Sequence, residues 1–494
     1  MDAREIAGFG PPLMDFLGEF DDCFGRSEPR VHLRTYVSGQ LSGLPRKSLE
    51  PIALSANVPP RTLQRFLESV EWDEVRLRDQ LQRVVARDHA DGEAIGIIDE
   101  TDSPKKGRHT AGVKRQWCGN TGKLDNCVVS VHTGYVVGDF QCLLDGDVYL
   151  PEEWADDRPR RRAAHIPDEV VFRTKQKIAL DQIARCLGNG IRVAAWTFDE
   201  LYGRDGGFLS GLDALGQTYV GEVPSDFTGW VRTPRILLRP TAWELRQPGK
   251  QRRFPRLAVT AAPPSEVRHL RHHSTVFTHQ RWRRFHIKDS QKGPIVWEIK
   301  HADFFRKHAD GLPGPTHTLI IARNALDHEE VKYFVANVAA GSSLEKLQWL
   351  LHVAFSRFPI EHTFRQAKDE LGMDHFEVRG WRSIHRHLYV TQLSHLFCSR
   401  IRRSLREKND AARRAHRRAR RVVGRAGSPR GLGLGGGPVP AAPVSLDTIP
   451  AGVRLDRVYP RTQSASPRGS LQESARRARG PRHQPRRLAL VYGG

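Results

Sequence analysis

The chain has 494 residues, enough for two to four domains and a sizeable core. Its 78 Lys plus Arg against 56 Asp plus Glu leave a formal net charge of +22, which points first to nucleic acid and second to an anionic surface. No apolar run of about 18 residues exists to span a membrane. The start Met-Asp-Ala-Arg-Glu lacks a signal-peptide pattern, and six scattered cysteines without a Cys-x-x-Cys pair argue against a zinc ribbon and fit a reducing cytoplasm.

Residues 1–90 read as a helical N-terminal domain. Within it, Ser48–Ser69 has the spacing of a helix-turn-helix: small Ala53, turn residue Asn57, apolar Leu63. Asn57 tolerates a left-handed turn, and Pro60 suits the first turn of a second helix. That helix would present Arg61, Gln64 and Arg65, either to DNA or merely as the outer face of a packed hairpin.

From residue 94 the pattern turns to strands. Ala94–Ile98 is a buried apolar run that ends in Asp99. Asn126–Val137 is a second strand region, Asp168–Leu187 a helix, and Val193–Phe198 another buried run that ends in Asp199. Residues 91–222 therefore read as the first part of an α/β core. Prolines, the short strand-like pieces Arg281–Ile287 and Ile295–Lys300, and Trp230, Trp243, Trp282 and Trp297 mark 223–316 as a β-rich insertion. Strands resume at His317–Ala322 and Val331–Ala336, and helix runs from Ser343 to about Arg403, so 317–403 reads as the second part of the core. Residues 401–494 hold 21 Arg and one Lys against five acids. Such a composition buries too little apolar surface to offset ordering entropy, so 404–494 reads as a basic tail, disordered past about residue 425.

In open α/β sheets ligands sit at the carboxyl ends of strands, where Asp99 and Asp199 both stand. A lone Asp there would be a turn or helix cap; two in equivalent places suggest a shared site. Hard carboxylate oxygens suit Mg²⁺ or Mn²⁺ rather than zinc. A third acid is sought on the helix Pro359–Leu371, whose apolar face is Ile360, Phe364, Ala367 and Leu371, with Gly372 as C-terminal cap. Glu361 and Lys368 share a stripe beside that face, and Arg357 lies just before it. The plain alternative is a set of helical ion pairs worth tenths of a kcal/mol. Lys105, Lys106, Lys114 and Arg115 follow Asp99, and Arg379 and Arg382 follow Lys368; such groups clamp phosphates without reading sequence. Trp381 and Trp282 suit either base stacking or the core. His385 and His387 are read as structural first, with DNA contact as the alternative.

These segments resemble a known family. IIDETDSPKKGRHTAGVKRQWCG (Ile97–Gly119), YLPEEWADDRPRRRAAHIP (Tyr149–Pro167), WTFDELYG (Trp196–Gly203) and FPIEHTFRQAKDELGMDHFEVRGWRSIHRHL (Phe358–Leu388) resemble four ordered blocks of DDE-type bacterial insertion-sequence transposases. The likeness is to the insertion-sequence 701 family and runs over roughly residues 10–400. It implies an RNase H-like core, a mixed five-stranded sheet with helices on both faces, interrupted by a β-rich insertion before the Glu. It implies that Asp99, Asp199 and Glu361 are catalytic and bind metal, Mg²⁺ or Mn²⁺ as two ions. It implies DNA contacts from Lys105, Lys106, Arg115, Arg357, Lys368 and Arg379. Arg357, Glu361 and Lys368 match the related signature Tyr-x₂-Arg-x₃-Glu-x₆-Lys, whereas Ala354 stands at its Tyr position. Glu100, on the opposite strand face, follows Asp99 where the family more often has Asp. The implied protein is a cytoplasmic, nucleoid-associated transposase with no membrane segment. It would bind terminal inverted repeats of double-stranded DNA as a homodimer and catalyse metal-dependent cleavage and strand transfer. Two other readings stand beside it: a catalytically inactive, transposase-derived DNA-binding protein, and a nuclease of the same fold that cuts without joining.

Overall fold

Side chains of β1 (Ile95–Pro104) point alternately to two covered faces of a sheet, and this alternation organises everything around it. The computed structural model describes residues 9–426, apart from 243, 247–252 and 291–292. The chain divides into two units, Met1–Arg420 and Arg421–Gly494, and the elements that shape the site lie in the first.

The first sheet has five strands. Antiparallel to β1 runs β3 (Lys123–Val137), with Asp99 opposite His132. On β3 lie β2 (Lys114–Cys118) and β4 (Phe140–Val148). The short β5 (Ala195–Thr197) pairs with β1 in parallel. Beyond it, Tyr219 bridges Trp196 in parallel and leads into β6 (Val220–Val223).

Ile98 and Val131 face a helical layer made of α6 (Lys175–Gly188), α7 (Glu200–Gly203) and α8 (Gly206–Ala214). Ile95 and Ile97 face the other layer, α11 (Leu344–Ala354), α12 (Phe358–Asp369) and α13 (Trp381–Ala426). Each fully buried Ile, Leu or Phe in these layers contributes about 1.5–3 kcal/mol. Arg185 of α6 donates to Asp145 at 2.9 Å and Asp147 at 2.8 Å, which ties that helix to β4.

A second, seven-stranded sheet holds the insertion. Its order is β8 (Ser265–Glu266), β7 (Thr228–Trp230), β10 (Gly293–Lys307), β11 (Pro313–Asn324), β12 (Val331–Ala336) and β6, with β9 (Arg283–Ser290) also on β10. The insertion is not purely β, since α9 (Val267–His273) and α10 (Thr275–Thr278) bury Val267, Leu270 and Phe277 beneath it.

The N-terminal helices are α1 (Gly10–Gly18), α2 (Ser27–Leu41), α3 (Leu49–Ser55), α4 (Pro60–Glu68) and α5 (Glu74–Asp88). They share one apolar cluster with Tyr135 and Phe140 of the sheet and with Tyr389, Leu393 and Phe397 of α13. Asn57, between α3 and α4, has φ +54°, and Pro60 opens α4, as the turn chemistry predicts.

Several boundaries differ from expectation. β1 does not stop at Asp99 but runs on to Pro104, because Thr101 and Ser103 stay inward and hydrogen-bonded to β3. The helix expected from Asp168 starts at Lys175, where Thr174 caps Lys177 N–H. The run Val193–Phe198 narrows to three strand residues. The last helix passes Arg403 and reaches Ala426, through an Ala- and Arg-rich stretch of good helix formers. The expected disorder past residue 425 and Trp243 fall outside the described residues, apart from the end of that helix. All six cysteines are free. Among the described residues no helix is long and apolar enough to cross a membrane.

Candidate active site

Parallel pairing of β1 with β5 joins Ile95 to Ala195, Gly96 to Trp196 and Ile97 to Thr197. Asp99 and Asp199 each lie two residues past the last of these pairs, and the two carboxyls are near enough for Asp199 to raise the Asp99 pKa. Asp99 lies on the Ile97 face, is only 7 % exposed, and accepts the Glu100 N–H at 2.9 Å. Asp199 is the N-cap of α7 and accepts Leu201 N–H at 3.0 Å. It therefore serves as a helix cap and also sits beside the second acid.

Glu100 points to the opposite face, as the strand period requires. There it accepts the Tyr202 hydroxyl at 2.8 Å and the Lys175 ammonium at 2.8 Å.

The third acid arrives on α12. Pro359 sits in its first turn, and Ile360, Phe364 and Ala367 are buried. Ile360 lies against Gly134 of β3, where an added Cβ would meet its methyl at 3.1 Å, so the glycine lets the helix seat closely on the sheet. Gly372, at φ +72°, follows the helix. Arg357, just before the first turn, reaches two acids at once. One guanidinium nitrogen is 2.8 Å from Asp99 and another is 3.0 Å from Glu361. Further along, Lys368 donates to the Asp102 carbonyl at 2.7 Å. The Arg357–Glu361–Lys368 stripe thus lies along β1.

Burial pushes the Asp99 carboxyl up to about 7, against the pull of Arg357 and with help from Asp199 and Glu100. Burial also raises Asp199, with Glu100 adding to it and Arg357 opposing. Arg357 is held further above its usual range, since Asp99 and Glu361 outweigh its own burial. Among the described residues no three His, Cys, Asp or Glu side chains are closed into a metal cage. The donor chemistry nevertheless suits a hard divalent cation: buried Asp99, half-buried Asp199 and exposed Glu361 are all carboxylates, and Arg357 bridges Asp99 and Glu361.

The burial of Asp99 has a measurable cost. With a folded value near 7 against an ordinary 3.8, Asp99 gives its full stability only below about 3.8 and loses it as pH rises through 7. In chelator, Asp99→Asn should therefore be more stable than wild type at pH 8, by about 2–3 kcal/mol, and should match it near pH 4. Urea unfolding at both pH values reads this out. A variant less stable than wild type at pH 8 would contradict the assigned strain.

The basic residues expected near the site separate into two groups. Lys106, Arg115 and Arg379 are exposed, and Lys368 and Arg357 are half-buried beside the carboxylates. Lys105 is a correction. Its ammonium donates to the carbonyls of Asp374 (3.1 Å) and Phe376 (2.8 Å) and lies 3.4 Å over the Phe376 ring. Burial lowers it to about 8, and its donors are spent inside the protein. Ala354 is buried at the end of α11 and offers no contact. Trp381 and the two histidines are held inside the protein: Trp381 packs on His385, whose Nε2 accepts the Val148 N–H at 3.3 Å and whose Nδ1–H donates to the Trp381 carbonyl at 2.9 Å, and His387 joins Tyr36 to the Met373 carbonyl. Trp282 lies under the guanidinium of Arg323 and the ammonium of Lys300.

Sequence reading missed Lys288. From β9 its ammonium sits 4.0 Å over the Phe358 ring, in the first turn of the Glu361 helix. Burial lowers its pKa and Glu361 opposes that shift. Nothing local in the sequence marks it, because the contact is made across the insertion.

Two comparisons bear on this arrangement. The family model described as DDE superfamily endonuclease matches residues 19–294, a span that holds Asp99 and Asp199 and ends before Glu361. The "Probable transposase for insertion sequence element IS701" of Microchaete diplosiphon is 33% identical over 223 residues, 44% of this chain and 55% of that protein. The chain thus spans about half the length of the relative it matches.

Proposed function

The chain belongs to the DDE superfamily of endonucleases, and from that premise we propose that it is the transposase of an insertion sequence. It binds the terminal inverted repeats of its element, as a homodimer on paired ends, and performs metal-dependent DNA cleavage and strand transfer. The observation that supports this reading is Arg357, which contacts both Asp99 and Glu361, with Asp99 and Asp199 just past the paired ends of β1 and β5.

The order β4–β3–β1–β5, extended by the Tyr219 bridge to β6, supports an RNase H-like core for this site. Asp99, Asp199 and Glu361 would hold Mg²⁺ or Mn²⁺, as a pair of ions. Bound there, they supply a Lewis acid for the phosphate and a nucleophile of lowered pKa. The protein's own contribution is orientation and charge. Asp99 within β1 and Asp199 at the cap of α7 keep a fixed spacing while Glu361, on the exposed edge of α12, can adjust. Arg357 neutralises Asp99 and Glu361 until DNA arrives, then turns to a phosphate. Lys368 and Lys288 flank Glu361 on either side and restrain the scissile strand. Lys106, Arg115 and Arg379 position the duplex through phosphates. Arg61 and Arg65, exposed on α4 after the left-handed Asn57, face a groove of the terminal repeat.

The test is a labelled duplex carrying the DNA that flanks the coding segment, with Mg²⁺. Cleavage at the element boundary, and joining of the freed 3′-hydroxyl to a second duplex, is the expected result. Binding without cleavage in both Mg²⁺ and Mn²⁺ would instead favour the inactive DNA-binding reading.

A further inference from the structure

The hairpin of β2 and β3 presents an exposed indole for which the fold has no use. Trp117 is 64% exposed, and Leu124, directly opposite on β3, is 59% exposed. The other described tryptophans are buried or half-buried. An apolar cross-strand pair left in water is costly unless something covers it.

The hairpin is held firmly. Asp102 of β1 accepts the Gly119 N–H at 2.7 Å, the Asn120 N–H at 3.3 Å and the Cys118 thiol at 3.0 Å. Cys118, Cys127 and Val129 form a small core beneath it. The strand period therefore turns Trp117 outward, on the same face as Arg115. Asn126, opposite Arg115, holds the neighbouring loop by donating to the Lys105 carbonyl at 3.2 Å and to that of Gly107. That loop carries exposed Lys106 and Arg108. Among the described residues, Lys106, Arg108 and Arg115 form no ion pair. The same Asp102 that clamps the hairpin receives Lys368 from the Glu361 helix.

We propose that the Trp117–Leu124 face binds DNA strands with unpaired bases, such as a frayed or cut end, by stacking a base on the indole. Lys106, Arg108 and Arg115 hold the phosphates of that strand. Charge complementarity selects the occupant: a rigid, flat apolar surface bordered by unpaired cations suits a base and its phosphates. The inference rests on the DNA reading above and deepens it.

The experiment compares a labelled blunt duplex with the same duplex carrying a short single-stranded extension. Binding is followed by fluorescence anisotropy at fixed salt, with full-length wild type, Trp117→Ala and Trp117→Tyr. Wild type should prefer the extended duplex. Trp117→Ala should lose roughly five- to hundredfold in affinity for it and keep its blunt-duplex affinity. Trp117→Tyr should recover most of the loss, which a purely structural role would not produce. Equal preference in wild type and Trp117→Ala would overturn the inference. So would a Trp117→Ala protein whose defect is loss of self-association in sedimentation without DNA, which would make this face a contact between copies. Failure of wild type to bind either DNA would overturn the DNA reading itself, and the inference with it.

Discussion

Glu361→Gln should abolish Mg²⁺-dependent cleavage while end binding stays within about twofold. The substitution removes a carboxylate charge and keeps the shape of the side chain. Outer-shell partners of a metal site already cost about 10–100-fold when lost, so a direct ligand should cost more. Glu361 touches Arg357 and no core residue seals it, with its side chain 44% exposed, so folding should be little affected. Phosphate contacts are assigned to other side chains, which is why binding should persist. Gel assays of binding and cleavage on the same DNA separate the two effects. Wild-type cleavage by Glu361→Gln would remove Glu361 from the site.

Arg386→Met should have a large effect on stability, about 2–4 kcal/mol, because it leaves several buried carbonyls without a donor, while Glu74 keeps Arg382 at 2.6 Å. Arg386 of α13 is fully buried. Its guanidinium donates to the carbonyls of Phe66 (3.1 Å), Val70 (2.8 Å) and Trp72 (3.0 Å), and to Glu74 at 3.0 Å. It also lies 4.3 Å over the Trp72 ring. These bonds fasten the end of α4 to the helix that covers the sheet. Losing them should lower the urea midpoint sharply and loosen the Asn57 turn. A midpoint shift worth less than 1 kcal/mol would mean that water or neighbours replace the guanidinium readily.

The parts of the site written in local sequence were legible. Buried apolar runs before Asp99 and Asp199 are strands, and the period of Ile360, Phe364 and Ala367 sets α12 on the core. The turn at Asn57 was legible for the same reason, since its conformation depends on one residue. What failed depends on distant partners. Lys105 reads as a phosphate clamp until the carbonyls of Asp374 and Phe376 are seen to claim it. β1 passes Asp99 because β3 supplies hydrogen-bonding partners as far as Pro104. Lys288 and Trp117 were invisible for opposite reasons: one is brought in by the insertion, the other is left exposed on a hairpin that Asp102 clamps.

The most direct test of the central claim is whether Asp99, Asp199 and Glu361 belong to one metal site. Fe²⁺ in place of Mg²⁺, with peroxide and ascorbate, cuts a polypeptide close to where the ion binds. Cuts near all three residues, suppressed by excess Mg²⁺ and lost in Asp99→Asn, are the predicted result. Cuts near Asp99 and Asp199 with none near Glu361, or a pattern unchanged by Asp99→Asn, would contradict it.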